Sequence, residues 1–149
     1  MDDGIMNTDK INGIVNFQMI LTQGLDKTET KYDAPATLYK KQGKYFLFFD
    51  EINFEDNSKT KCRFEIDQDS IRIRRDGQVI MAQTFNIGES TTGYIKTVYG
   101  QLDTIAKTHR LSLDFLETQI NLVLDYDLFV SAERAGNYKL IIKFNKEDI

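Results

Sequence analysis

Three arginines crowd one predicted turn, Arg72, Arg74 and Arg75 in IRIRRDGQVI (71–80). A guanidinium fork grips a carboxylate or phosphate through two parallel hydrogen bonds, so the direction each arginine faces decides what it can hold. Asp76-Gly77 reads as a two-residue type I′ hairpin turn, because both residues tolerate positive φ. That register sets Arg75 opposite Gln78, Arg74 opposite Val79, Ile73 opposite Ile80 and Arg72 opposite Met81. Alternation puts Arg75 on the face of Ile71 and Ile73, and Arg72 with Arg74 on the other. If the isoleucines face a barrel interior, Arg75 sits at its rim. There it either recognises an acidic end group or covers the barrel end with its stem while its head meets water or a nearby acid.

Other chemistry-bearing residues are sparse. His109 is the only side chain with an ordinary titration near neutral pH and the only nitrogen axial ligand for a haem. In a continuous strand it would share the face of Leu111, Leu113 and Phe115; otherwise it is an exposed or hydrogen-bonded strand-end histidine. Asp125 and Asp127 share a strand face at roughly 7 Å, a separation compatible with glycoside chemistry and equally with an ordinary solvent face. The acidic run DEINFED (50–56) matches no EF-hand spacing and reads as a solvated loop. NIGESTTGYIKTVYG lacks the Gly-x-x-x-x-Gly-Lys pattern of a phosphate loop, so Gly88, Gly93 and Gly100 read as bends or bulges. Tyr94 and Tyr99 are placed to present hydroxyls to a ligand at a barrel mouth, or to pack with a wet tip. No nucleophile, base and oxyanion donor can be assembled, so no catalytic residue is assigned.

These side chains need a scaffold, and the apolar pattern supplies one. Ile120, Leu122, Leu124, Tyr126, Leu128 and Val130 fall on one side of an extended strand, with Asn121, Asp125, Asp127 and Ser131 on the other. Tyr138, Leu140, Ile142 and Phe144 repeat the pattern beyond a turn placed at Ala135, Gly136 and Asn137. Upstream, Val15, Phe17, Met19 and Leu21 alternate, as do Cys62, Phe64 and Ile66, and Gln42-Gly43 separates two strand-prone runs. Pro35 is tolerable only at an edge or a bulge. The expectation is all-β: one domain over residues 1–149, a closed antiparallel up-and-down barrel of about eight to ten strands, with residues 1–10 poorly ordered or a short helical turn. A two-sheet sandwich is the competing arrangement.

The 149 residues suffice for a single core without staples. One cysteine, an acidic start and no long apolar run predict a soluble cytoplasmic protein with no membrane span. A net charge of −4 argues against nucleic acid as the main partner. One histidine and one cysteine cannot build the usual nitrogen and sulfur metal sites, so neither metal nor cofactor is expected.

Reading on from the arginines, RRDGQVIMAQTFNIGES, TGYIKTVYGQLDTIAKT and LVLDYDLFVSAERAGNYKLIIKF resemble the YwiB-like family of uncharacterised bacterial proteins. The likeness runs from Tyr32 to Phe144 and rests on Arg75 and Gly77, Phe85 and Gly88, Tyr99 and Gly100 before Leu102, and the closing hairpin. It implies a lipocalin-like, calycin-type barrel. The chain lacks the lipocalin Gly-x-Trp mark, having no tryptophan.

The leading expectation is a non-enzymatic barrel holding a small, partly apolar acidic ligand. Phe17, Met19, Leu122, Leu124, Tyr126, Leu140 and Ile142 would form its wall, Arg75 would take the acid, and Tyr94 and Tyr99 would orient it. The alternative is a barrel filled by its own side chains that acts through its outer surface, self-associating through Val79, Met81 and Phe85.

Overall fold

The computed structural model describes residues 9–147. Ten strands follow in order: β1 (Asp9–Gln23), β2 (Asp26–Lys41), β3 (Lys44–Asn53), β4 (Ser58–Ile66), β5 (Ser70–Asp76), β6 (Ile80–Asn86), β7 (Ser90–Thr97), β8 (Gly100–Phe115), β9 (Gln119–Val130) and β10 (Glu133–Lys146). Each pairs antiparallel with its sequence neighbours, and β1 closes the circle by pairing with both β2 and β10, Gly13 against Lys146 and Thr22 against Asn137. The protein is therefore a single closed up-and-down barrel. Asp9 and Lys10 already belong to β1, which corrects the helical or disordered expectation for those two residues; residues 1–8 of that expectation lie outside the described residues.

Alternation drives the closure. Along β9 every second residue from Ile120 to Tyr126 is buried, and the same holds for Leu140, Ile142 and Phe144 in β10. Burying a leucine or phenylalanine contributes about 1.5–3 kcal/mol, so a one-residue slip of either strand would forfeit several such contributions. The turn of this last hairpin corrects the expected one. Ser131 and Ala132, with φ of 49° and 70°, make a two-residue loop, and Ala135 instead forms a bulge between Arg134 and Gly136.

The arginine-bearing hairpin also corrects its expected register. Asp76 pairs with Ile80, Arg75 with Met81 and Ile73 with Gln83, leaving Gly77, Gln78 and Val79 as a three-residue loop. Neither Asp76 nor Gly77 takes the positive φ of a type I′ turn. A two-residue loop would have turned Met81 and Phe85 outward. The three-residue loop turns them inward, and Phe85 is completely buried. Gly77 is required for another reason: a Cβ there would collide with Thr60 Oγ1.

The interior differs between the two ends. Beneath the β2–β3, β4–β5 and β8–β9 turns, Leu38, Leu47, Ile66, Leu122, Ile142 and Phe144 fill the lumen to a residual space of about 10 Å³, and Tyr45 stacks on Phe115 at 4.8 Å. Toward the opposite end, where the β3–β4 and β5–β6 loops lie, the lumen is hollow. The wall also has a lateral cleft. β2 pairs with β3 only from Ala36–Phe49 to Lys41–Lys44, so Asp26–Pro35 has a partner on its β1 side alone. The β2–β3 ladder thus stops one residue short of Pro35, the edge position at which a missing N–H is tolerated.

Candidate functional site

The hollow end is assembled strand by strand. β1 contributes Phe17 and Met19, β4 Cys62 and Phe64, β5 Ile73 and Arg75, β6 Met81, Gln83 and Phe85, β9 Tyr126 and Leu128, and β10 Tyr138 and Leu140. Together they enclose about 180 Å³ of mostly apolar space. Above it lies a second, more polar space of about 260 Å³, lined by Glu51, Asn53, Ser58, Thr60 and Gln78. Arg75, Val79 and Met81 belong to both walls, so they form the threshold between them.

Arg75 reaches this threshold because β5 alternates Ile71, Ile73 and Arg75 onto one face. Its Nη2 donates to Glu51 Oε2 at 2.6 Å, with the two side chains 38% and 27% exposed. Burial alone would lower the pKa of the guanidinium; the charge of Glu51, with help from Cys62 and Tyr32, outweighs it and leaves the pKa raised. Burial holds the Cys62 thiol protonated, its pKa raised although Arg75 pulls it the other way. Beside the pair, the Tyr32 ring stacks on Phe17 at 4.5 Å. Burial and the nearby Glu51 push the Tyr32 phenol pKa strongly up, yet its hydroxyl is buried without a hydrogen-bond partner among the described residues, Glu51 lying close but outside bonding geometry.

The inner chamber is lined differently. Tyr126 stacks on Tyr138 at 5.2 Å and packs on Phe85 at 4.5 Å. Burial, reinforced by Tyr138, raises the Tyr126 phenol pKa and keeps it neutral. Gln83 and Thr104 are the polar exceptions, and both are internally satisfied. Thr104 Oγ1 donates to Gln83 Oε1 at 2.5 Å, and Gln83 Nε2 donates to the carbonyls of Thr84 and Thr91 at 3.0 and 3.1 Å. Gly93 leaves the room this amide occupies: a Cβ there would meet the Gln83 side chain and the Ala82 carbonyl.

Of the residues singled out in the sequence, Arg75, Phe17, Met19 and Tyr126 thus meet around one cavity. Leu140 joins them, whereas Leu122 and Ile142 belong to the filled end and Leu124 to the packed interior. Tyr94 does not join them, which corrects its placement at the mouth. It lies on the outer wall opposite Ala82, where its hydroxyl accepts from Arg74 Nη1 at 3.1 Å. Tyr99 sits at the tip of the β7–β8 turn, 96% exposed. Met81 and Phe85 face inward and cannot form an outer patch; Val79 stands in the loop, 48% exposed.

His109 departs from the face of Leu111 and Leu113 because it is itself a bulge between Thr108 and Arg110. The extra residue switches the inward parity from Ala106 and Thr108 to Leu111 and Leu113, and leaves His109 outside, its Nε2 3.0 Å from Asp127 Oδ2. A histidine on the outer wall cannot ligate anything in the lumen. Asp125 and Asp127 share the outer face as expected, but Asn137 Nδ2 bridges them at 2.9 and 3.0 Å. Partial burial of Asp127 works against its charge, yet Asn137, His109 and Arg134 together hold the pKa of its carboxyl below the usual range.

Two site residues carry no clear signal in the sequence. Glu51 sits in an acidic run that reads as a loop, although Leu47, Phe49 and Glu51 alternate inward along β3. Tyr32 stands opposite Phe17 on the face of Ala34 and Ala36, a pattern the charged residues between them obscure.

A closed antiparallel barrel with a hollow apolar end, entered past an Arg–Glu pair, is the class of protein these features define. Residues 15–142 match the family described as "Domain of unknown function (DUF1934)", and the chain belongs to that family. It is 27% identical over 106 residues to the uncharacterized beta-barrel protein YwiB of Bacillus subtilis (strain 168), covering 71% of this chain and 73% of that protein. The crystal structure of the ywiB protein from Bacillus subtilis superposes with a TM-score of 0.83 at 19% identity, over 97% of this chain and 98% of that one. The shared architecture is thus the barrel itself.

Proposed function

We propose that the protein is a non-enzymatic barrel of the cell interior that binds a small, partly apolar carboxylate, calycin-fashion, with the acid at Arg75 and the tail among Phe17, Met19, Phe85, Tyr126 and Leu140. The observation that carries this reading is a single guanidinium at the threshold between an apolar chamber of about 180 Å³ and a polar outer space. At about 30 Å³ per water-sized group, the chamber suits a tail of roughly six non-hydrogen atoms. A carboxylate would replace or share Glu51 on Arg75, and the unpartnered Tyr32 hydroxyl lies beside that pair. Gln83 and Thr104 spend their polar atoms on each other and on backbone carbonyls, so apart from the Tyr126 and Tyr138 hydroxyls the tail meets mainly apolar contact, which favours alkyl or aryl chains over sugars.

Titration of ¹⁵N-labelled protein with a series of straight-chain monocarboxylates tests this directly. Saturable shifts at β5, β6 and β9 are expected, with affinity rising with chain length to about six carbons. Arg75→Met should weaken binding at least tenfold, while Arg72→Met, on the outer wall, should not. Equal binding by Arg75→Met would sink the assignment. The second reading, a ligand-free barrel that acts through its outer surface, draws on the filled half of the lumen. Absence of saturable binding across the series would select it.

A further inference from the structure

We infer that the unpaired edge of β2 is the contact by which two copies of this chain join, strand to strand about a two-fold axis centred on Thr30. This surface lies on the outside of the wall, adjoins the candidate site only at Tyr32, and does not depend on the ligand reading.

From Asp26 to Pro35, β2 has no neighbour on the β3 side, so its outward N–H and C=O groups form a pairing template. The outer face of this segment carries Lys27, Glu29, Lys31 and Asp33, alternating in sign. None of the four forms an ion pair among the described residues: Glu29 and Asp33 accept only from the neutral amides of Gln18 and Asn16. A free edge rich in lysine ordinarily repels a second edge. The order of charges here does the reverse in one register. When Thr30 faces its own copy in an antiparallel pair, Lys31 faces Glu29 and Lys27 faces Asp33, each twice by symmetry, and inner and outer faces remain matched.

A second observation selects the same register. Leu25, at the tip of the β1–β2 turn, is wholly exposed. In the Thr30-centred pair it comes level with Pro35 of the other copy. Pro35 lines the lateral cleft of about 440 Å³, whose remaining walls include Ala34, Phe48, Ile52 and Phe54, the last 85% exposed. The leucine of each copy thus meets a mostly apolar hollow in its partner, and Leu25, Phe48, Ile52 and Phe54, all open to water in the single barrel, become covered. A symmetric partner satisfies the edge, the charges and the cleft together.

The test is the mass of the full chain by light scattering and native mass spectrometry between about 1 and 500 μM, a span matched to weak and moderate association. Wild type is expected to show a concentration-dependent dimer. Lys31→Glu sets Glu29 against a second acid in both pairs and should raise the dissociation constant at least tenfold. Glu29→Lys combined with Lys31→Glu reverses each pair and should restore it to within about threefold, a rescue that general loss of folding cannot imitate. Leu25→Asp should weaken the dimer independently. A monomer throughout the range overturns the inference, and so does a dimer that ignores Lys31→Glu or whose double variant is no better than the single one.

Discussion

Arg75 and Glu51 show how little separates a structural pair from a recognition group. The two are only partly withdrawn from water, so the pair stabilises the fold far less than the 3–5 kcal/mol at stake when a fully buried pair is broken; about 1 kcal/mol is the appropriate scale. Glu51→Gln should lower the melting temperature by about 2–4 °C, because one such increment moves a chain of this size by that amount. If an exogenous carboxylate takes the vacated position, the same variant should bind monocarboxylates several-fold more tightly than wild type and regain its melting temperature in their presence. Calorimetry with and without the acid reads both effects. Arg75 was legible in the sequence because its parity with Ile71 and Ile73 survives any turn length. Glu51 was not, because an acid following FLFF and preceding another acid reads as the start of a loop. Tyr94 and Tyr99 misled for the complementary reason: an aromatic near a glycine announces a turn without saying which side of the wall it adorns.

At the scale of the strand, parity is the information that matters, and single residues reset it. The ten-strand pattern was readable from alternation alone, since it repeats along most of the chain. The bulges at His109 and Ala135 were not, because an inserted residue looks like any other in one sequence. His109→Ala should cost no more than about 1 kcal/mol, the scale of an exposed ion pair. Deleting His109 is a different perturbation, since it removes the bulge while leaving Arg110 opposite Asp125 and Leu111 opposite Leu124, so Leu111 and Leu113 still face the lumen. Urea unfolding should therefore show a cooperative transition for both variants, with a slightly lowered midpoint for the substitution. Loss of the cooperative native baseline in the deletion alone would mean that the local bend of the bulge, and not only the parity it sets, holds β8 in the wall. The β5–β6 loop carries the same lesson: Asp-Gly signals a hairpin correctly, but the burial of Phe85 and Met81 chose three residues rather than two.

For the whole molecule, closure matters more than any one contact. The barrel has no terminal pair that could be omitted, since β10 serves both β9 and β1 and supplies Tyr138, Leu140, Ile142 and Phe144 to the interior. Removal of residues 133–149 would leave β9 and β1 with naked edges and a lumen open along one side. The truncated chain is expected to lack a cooperative thermal transition and to sediment as aggregates; a soluble, cooperatively melting fragment would show that nine strands can re-close. The split of the lumen into a filled and a hollow half is likewise a property of the whole. The sequence named most of the apolar wall, but the end at which a lumen is hollow depends on how residues from distant strands fill it in three dimensions.

The pairing of Gly13 with Lys146 also sets a timetable. On a ribosome adding about 5–20 residues per second, the first strand waits on the order of ten seconds for the last. Throughout that interval the emerging chain is an open sheet that lengthens by one hairpin at a time. It becomes a barrel only when its final strand is released, so an interrupted translation product would expose the unfinished seam to chaperones and proteases while a finished one would not.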